Sequence, residues 1–469
     1  MRKGLFPVIL LSLISCSTYV VHAGVKPGTT CKKIGQSVTS SGIKYTCTKS
    51  GKKLVWNKGK AVAVPLASSS PTPTPTPSAS ASASASASAS ASASASPADE
   101  TASYIPISRN VQSCELQQIK KNYFGTGFGF PRASFRLKNS GEVNGLFLYV
   151  EFDDVKGNDD PQKDALTYIP KFIDYYKAIS YGKLNFKIDV NPRYLSISKN
   201  SSSYGMNVWG GGDPYQYWKD GIAAAVPFVD FSKYEFVAVI PPSGIKEILY
   251  GPSMPLPPGN ITGTTPQKII YNGLIGGADQ RNQPTRWIWL AHEIGHDLGM
   301  EHQYSNDGEA VWDLMHNVYG FTAPEFLGWH RFLQGWLNPE QIVCLEEKDI
   351  VDSPLSIRIK PISNSKSGTN LVILKQTAQT AVVVEYRSIT EFDTLDNNKD
   401  FEGVIVYSID VGKDSNESAI KLITTKNPRR TTRNQVVGNL LAGESVKTDG
   451  LTVTIVSKNA AGYLVQFSK

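Results

Sequence analysis

A chain of 469 residues exceeds what one hydrophobic core usually organises, so two or three domains are expected, with ample apolar material for a large enzyme core. The net charge of +7 is not spread along the chain: residues 24–60 hold nine Lys and no Asp or Glu, and with Arg2 and Lys3 also set aside, everything after residue 60 comes to about −4. The larger domains therefore lack the general basic character of a nucleic-acid binder, and nucleic acid is not an expected partner.

At the start, Arg2 and Lys3 precede an apolar run over residues 5–14, too short to span a bilayer but suited to the h-region of a secretory signal. Two processing points compete. Val21-His22-Ala23 resembles a signal peptidase site, giving a signal peptide over residues 1–23, and is preferred; Leu13-Ile14-Ser15-Cys16 resembles a lipobox that would lipidate Cys16. No later stretch is long and apolar enough for a transmembrane helix, so a secreted or cell-surface protein is expected. Either cleavage removes Cys16 from the thiol count. The four remaining cysteines in an exported chain predict two disulfides, Cys31 with Cys47 inside one small module and Cys114 with Cys344 bracketing the central domain.

Residues 24–60 read as a small Cys-stapled, Lys-rich β module, with turn signals at Ser41-Gly42 and Ser50-Gly51 and β-prone Val38, Ile43, Tyr45, Leu54 and Trp56. Its cationic surface fits an anionic cell-wall polymer as well as it fits a merely solvated face. Residues 61–100 are a linker: Pro-Thr repeats and then a Ser-Ala alternation offer nothing large and apolar with which to build a core, so disorder is expected. Globular composition begins near residue 101. Residues 145–150 read as a buried strand, 161–180 as a helix carrying Tyr168, Phe172, Tyr175 and Tyr176, and 184–190 and 236–240 as further strands. This alternation implies an α/β or α+β sheet domain over 101–345, of which α+β is the expected class. Residues 346–469 carry β-rich segments at 382–386, 403–407, 451–456 and 463–467 without long helices, which reads as a C-terminal β-sandwich.

Residues 285–298 are helix-like, with Trp287, Leu290, Ile294 and Leu298 on one apolar stripe and Gly299 as a stop; His292, Glu293 and His296 lie on the other side. Residues four apart on a helix differ by only about 40° around its axis, so His292 and His296 can point at one ion. Gly299 can take positive φ and reverse the chain, bringing His302 in as a third nitrogen. The string from His292 to His302 fits H-E-x-x-H-x-x-G-x-x-H at every fixed position, and five of the six histidines lie between residues 292 and 330. Three protein ligands leave one coordination position for water, the arrangement of a catalytic Zn2+ site. The expectation is a zinc-bound water of pKa about 7, deprotonated by Glu293 as general base, with the proton passed on to the departing amine. Met315, thirteen residues after His302, is placed for a Met-turn beneath the metal. His316 and Tyr319 are candidate oxyanion stabilisers, and Asp297 either orients a ligand imidazole or caps local structure. Asp153, Asp154, Asp159 and Asp160 are a candidate Ca2+ site, with a solvated loop the preferred reading.

At these residues the sequence resembles the metzincin-type zinc metallopeptidases, and more narrowly the immune inhibitor A group of secreted bacterial metallopeptidases. Residues 148–154, Asp174-Tyr175-Tyr176, Ser180-Tyr181-Gly182-Lys183-Leu184 and Leu333-Gln334-Gly335-Trp336-Leu337 resemble that group too, as do Val384-Glu385-Tyr386-Arg387 and residues 403–410 in its C-terminal β region. The resemblance implies a zincin-like catalytic domain, one zinc ion and endopeptidase activity on proteins or peptides. One departure stands out: the group often has an acidic residue where this chain has His302. Two other readings stay open, a catalytically silent, metal-containing surface-binding protein and a hydrolase of cell-wall peptides. Intact Glu293 argues against the first, and only a substrate assay separates the second.

Overall fold

The computed structural model describes residues 30–61 except 32, 36, 41, 42, 52, 58 and 59, and residues 110–469 except 120–124, 256–271, 278–284, 303–310, 317–323, 364 and 394–398. The signal segment, the repeats of residues 71–96 and Tyr319 lie outside the described residues. The chain divides into two compact units, Met1–Ser92 and Ala93–Lys469.

In the first unit, β1 (Ser37–Ser40), β2 (Ile43–Ser50) and β3 (Lys53–Trp56) form an antiparallel sheet, and β4 (Lys60–Ala61) pairs with β2. So small a sheet cannot bury much: its core is Cys47 and Trp56 with half-buried Cys31 and Leu54, and the Cys31–Cys47 disulfide staples it.

The second unit is mixed α+β. Its first sheet has the order β6-β5-β8-β10-β9, with β5 (Gly141–Glu151), β6 (Leu184–Val190), β8 (Phe236–Ile240) and β10 (Asn272–Ile275) parallel and β9 (Ser253–Pro255) antiparallel at the edge. The short β7 (Leu195–Ser196) pairs in parallel with the end of β5. β5 sits centrally and is covered on both faces, which is why it reads as an unbroken apolar run. Its alternate residues feed two cores. Phe147 and Tyr149 pack among the helices α2 (Ile169–Ile179) and α4 (Arg286–Asp297), while Leu146, Leu148 and Val150 pack against α3 (Pro214–Ala225).

The helix expected over 161–180 is two helices, α1 (Pro161–Ala165) and α2. Pro170, in the first turn of α2, has no N–H and its ring crowds the preceding turn, so the helix has to restart there. α2 buries Phe172, Tyr175, Tyr176 and Ile179, and the Tyr176 hydroxyl donates to the Ala291 carbonyl at 2.7 Å, fixing α2 against α4.

After α5 (Gly328–Leu333), the chain enters two β-sheets. One has the order β11-β13-β14-β15-β16: β11 (Ile342–Glu346), β13 (Leu371–Lys375), β14 (Thr380–Arg387), β15 (Gly403–Asp410) and β16 (Ile420–Leu422). The other has the order β12-β19-β18-β17: β12 (Leu355–Ile359), β17 (Ser445–Thr448), β18 (Leu451–Asn459) and β19 (Gly462–Ser468). Val372, Val382, Val384 and Val406 of the first share a core with Ile357, Val453, Val465 and Phe467 of the second. On the other face of the five-stranded sheet, Ile373, Val383, Ile405 and Tyr407 pack with Trp312, Leu327 and Trp329, so this sheet also supports the segments that follow the histidine motif. Cys114 and Cys344 are disulfide-bonded, tying the residues before β5 to β11.

Candidate metal centre

The histidines are presented by α4 and by the turn that ends it. Arg286, first residue of the helix, forks onto the Asp164 carboxylate at 2.7 and 3.0 Å and anchors its start. At the other end, Gly299 donates to the His296 carbonyl at 2.8 Å and Met300 to the Gly295 carbonyl at 3.0 Å, a Schellman closure in which Gly299 stands at φ +92°. That left-handed residue turns the chain back beneath the helix, as the spacing anticipates, and delivers His302.

Leu290, Ile294 and Leu298 are buried as the apolar stripe predicts. The opposite side is not solvent-facing, however: His292 and His296 are 1% and 7% exposed. The segment 311–316 covers it, and Met315 lies against Gly295, where a Cβ would come within 2.5 Å of the Met315 sulfur.

His292, His296 and His302 converge, with ligating atoms all within 4.8 Å of one another, the one such group of three among the described residues. The His302 Nε2 lies 3.1 Å from that of His292 and 2.8 Å from that of His296. The far nitrogens decide the protonation. His292 Nδ1 lies 2.8 Å from the Leu314 carbonyl and His296 Nδ1 lies 2.9 Å from the Met300 carbonyl; a carbonyl only accepts, so each Nδ1 carries the hydrogen and each Nε2 presents a lone pair. A single proton on His302 can satisfy only one of the two lone pairs facing it, whereas a cation satisfies all three. Burial pushes His292 down to about 4; burial together with the neighbouring His292 pushes His302 down to about 3; burial, His302 and His292 hold His296 well below the usual range. All three imidazoles are thus neutral near pH 7, the form that ligates a metal. Nitrogens bound at about 2.0–2.1 Å to one tetrahedral zinc stand roughly 3.3 Å apart, so the donor set fits that ion.

Glu293 and Asp297 meet the edge strand. The Ser253 amide of β9 donates to Glu293 Oε2 at 2.6 Å, and the Ser253 hydroxyl donates to Asp297 Oδ1 at 2.6 Å. The Asp297 carboxylate thus meets Ser253, while the Nδ1 atoms of His292 and His296 meet backbone carbonyls; burial pushes the Asp297 carboxyl up to about 7. His316 donates its amide to the Asp313 carbonyl, and the Asp313 carboxylate faces His330 Nδ1 at 3.1 Å in a fully buried pair. The four aspartates considered for calcium do not converge: Asp154 accepts from Ser201, Asp159 from Tyr194, and Asp160 caps α1.

A cleft of about 850 Å3 opens beside the cluster, lined among others by His296, His302, Ser253, Met254, Tyr250 and Arg136. Ser253, Glu301 and Arg136 are absent from the sequence reading. Glu301 accepts from Thr126 and, at 2.9 Å, from the His302 amide. Only its place next to His302 marked it, whereas nothing in the order of residues joins Arg136 or Ser253 to a motif more than thirty positions away.

No family model matches the sequence, and no curated protein matches it. Among solved structures, metalloproteinase-II from Bacteroides fragilis is 17% identical with a TM-score of 0.27, the match covering 45% of this chain and 57% of that one, less than two thirds of its length. Catalytically inactive OgpA from Akkermansia muciniphila, in complex with an O-glycopeptide (glycodrosocin) substrate, is 12% identical with a TM-score of 0.22, covering 73% of this chain and 96% of that one. Likenesses this slight carry no weight for fold or activity.

Proposed function

We propose that this chain is an exported, zinc-dependent endopeptidase in which His292, His296 and His302 hold the ion and Glu293 is the general base. The observation that carries the reading is the convergence of three neutral imidazoles whose Nδ1 hydrogens are committed to backbone carbonyls or whose surroundings keep them uncharged. Zinc in a three-histidine site supplies Lewis acidity, lowering the pKa of water and polarising a carbonyl. Glu293 lies on α4 between His292 and His296, and as general base its carboxylate would hold the proton that passes from water to the leaving amine. The Ser253 amide orients the carboxylate through one oxygen. β9 lines the cleft as an edge strand, a surface along which an extended peptide can lie. Both disulfides fit an oxidising compartment. Among the described residues no helix is long and apolar enough to cross a membrane. The Lys-rich first unit is the part suited to an anionic wall polymer.

The test uses the full chain, with zinc measured by elemental analysis and hydrolysis followed on casein and on wall peptides. Wild type should hold about one zinc and cut casein; Glu293→Gln should keep the metal and lose roughly 10^2–10^4-fold in rate; His302→Ala should lose the metal. A zinc-loaded wild type that cuts neither substrate removes the peptidase and leaves a metal-containing binding protein. Cleavage confined to wall peptides makes it a cell-wall hydrolase.

A further inference from the structure

Arg136 is 4% exposed, and none of its three guanidinium nitrogens has a hydrogen-bond partner among the described residues. It nevertheless forms part of the wall of the cleft that holds His296 and His302. Its place is set by the backbone around it. The Arg136 amide donates to the Ala133 carbonyl at 3.2 Å, the Leu137 amide to the Asp297 carbonyl at 2.9 Å, and the Gly127 amide to the Gly299 carbonyl at 3.0 Å, stitching this loop to the end of α4. The side-chain stem lies on the Gly299 turn, where a Cβ would stand 3.4 Å from Arg136 Cγ. The loop therefore packs the Arg136 stem against the turn that delivers His302.

A guanidinium has five N–H donors and no acceptor, and leaving it buried without partners is costly. Neither neighbouring carboxylate bonds to it: Asp297 accepts the Ser253 hydroxyl on Oδ1 while its buried Oδ2 has no partner among the described residues, and Glu301 accepts from Thr126 and the His302 amide. Both attract Arg136 through space without bonding to it. Burial lowers Arg136 to about 10, so it is charged at neutral pH. The group that meets a planar donor fork is a carboxylate, held by two parallel charge-assisted bonds.

We propose that Arg136 is a specificity-determining residue of the cleft and binds a carboxylate of the peptide substrate. This rests on the metallopeptidase reading and names the substrate class of the same site. Two sources carry that chemistry, an Asp or Glu side chain near the scissile bond and a free C-terminus.

The test uses zinc-loaded full chain and internally quenched peptides that differ only by Glu against Gln at each position flanking the cleaved bond, each with a free and an amidated C-terminus. Wild type should prefer the carboxylate at one position by about tenfold or more in kcat/KM. Arg136→Gln should bring that ratio close to one, and Arg136→Lys, which keeps the charge without the fork, should leave an intermediate ratio and serves if the Gln variant does not fold. Preference that follows the Glu substitution assigns the carboxylate to a side chain; preference that follows the free terminus assigns it to the chain end. Equal rates across all pairs in wild type, or a preference that survives in Arg136→Gln, overturn the site while leaving the peptidase intact. If wild type cuts no peptide, the peptidase reading fails, and calorimetric binding of the same peptides decides the site: tighter binding of the carboxylate forms, lost in Arg136→Gln, upholds it, and equal binding overturns it.

Discussion

His292 and His296 are buried and His302 is half-buried, and the protonation of all three sets how the site responds to pH. Isolated histidines titrating near 6.5 would each surrender a metal progressively below that value, so three of them would weaken binding by about 10^4-fold between pH 7 and 5. With His292 at about 4, His302 at about 3 and His296 also far below its usual range, protons compete only at lower pH. The zinc Kd of the folded chain should change by less than about tenfold from pH 7 to 5 and rise steeply below about 4; loss of metal centred near pH 6.5 in equilibrium dialysis refutes the burial argument. Linkage gives the metal-free fold a matching dependence. Between about 6.5 and 4 the unfolded chain binds protons that the folded histidines refuse, so these residues stabilise the fold fully above 6.5 and lose that contribution as pH falls. Asp297, raised to about 7 from an ordinary value of about 3.9, acts in the opposite sense across the whole of this range. Gly295 supplies a second test. A Cβ there would sit 2.5 Å from the Met315 sulfur, so Gly295→Ala should cost about 1–3 kcal/mol by overpacking despite its better helix propensity. In a Met315→Ala background the same change should stabilise by about 0.5–1 kcal/mol, because only the propensity remains; denaturant titrations that show the same sign in both backgrounds exclude the steric contact.

At the scale of elements, α4 and the turn at Gly299 were legible because their chemistry is local: ligands four apart, then a glycine that permits φ +92°. β5, β6 and β8 were legible from apolar runs and alternation. The break between α1 and α2 was encoded in Pro170 but outweighed by the tyrosine spacing over 161–180. β9 was illegible: three residues with no alternation become a strand only because β10 offers an edge. Yet β9 carries Ser253, which bonds to both Glu293 and Asp297 of α4. Ser253→Ala should leave the Asp297 carboxyl without its hydroxyl donor in a fully buried position and cost about 1–3 kcal/mol, raising Asp297 further above the ordinary carboxylate range. Thermal unfolding indistinguishable from wild type would mean that this bond adds nothing to the docking of strand and helix.

Across the whole second unit, the five-stranded β-sheet is joined to the histidine region by buried charge. Arg387 of β14 reaches Glu385 at 2.9 Å and Asp393 at 2.6 Å, and all three side chains are fully buried. Glu385 also accepts from the Gly328 amide at 2.6 Å and the Tyr407 hydroxyl at 2.8 Å, while Asp393 accepts from the Glu325 amide at 2.7 Å. The guanidinium lies over Trp312, whose indole donates to the Val437 carbonyl, and Trp312 stands just before Leu314, the carbonyl that fixes the His292 tautomer. Such a network is weak evidence of net stability, because apolar packing can replace paired charges, but removing one member leaves its partners charged and desolvated. Arg387→Leu should therefore cost about 3–5 kcal/mol, and Arg387→Lys less, since the charge persists without the fork. Because the network holds the sheet against residues 324–331 and, through Trp312, the segment that covers α4, Arg387→Leu should also weaken zinc binding at temperatures where the chain is still folded. Near-normal stability in chemical denaturation would show that the paired charges add no net stability to the fold. Lowered stability with unchanged zinc affinity would confine the network to holding the sheet in place and leave the orientation of His292 to the 311–316 segment alone.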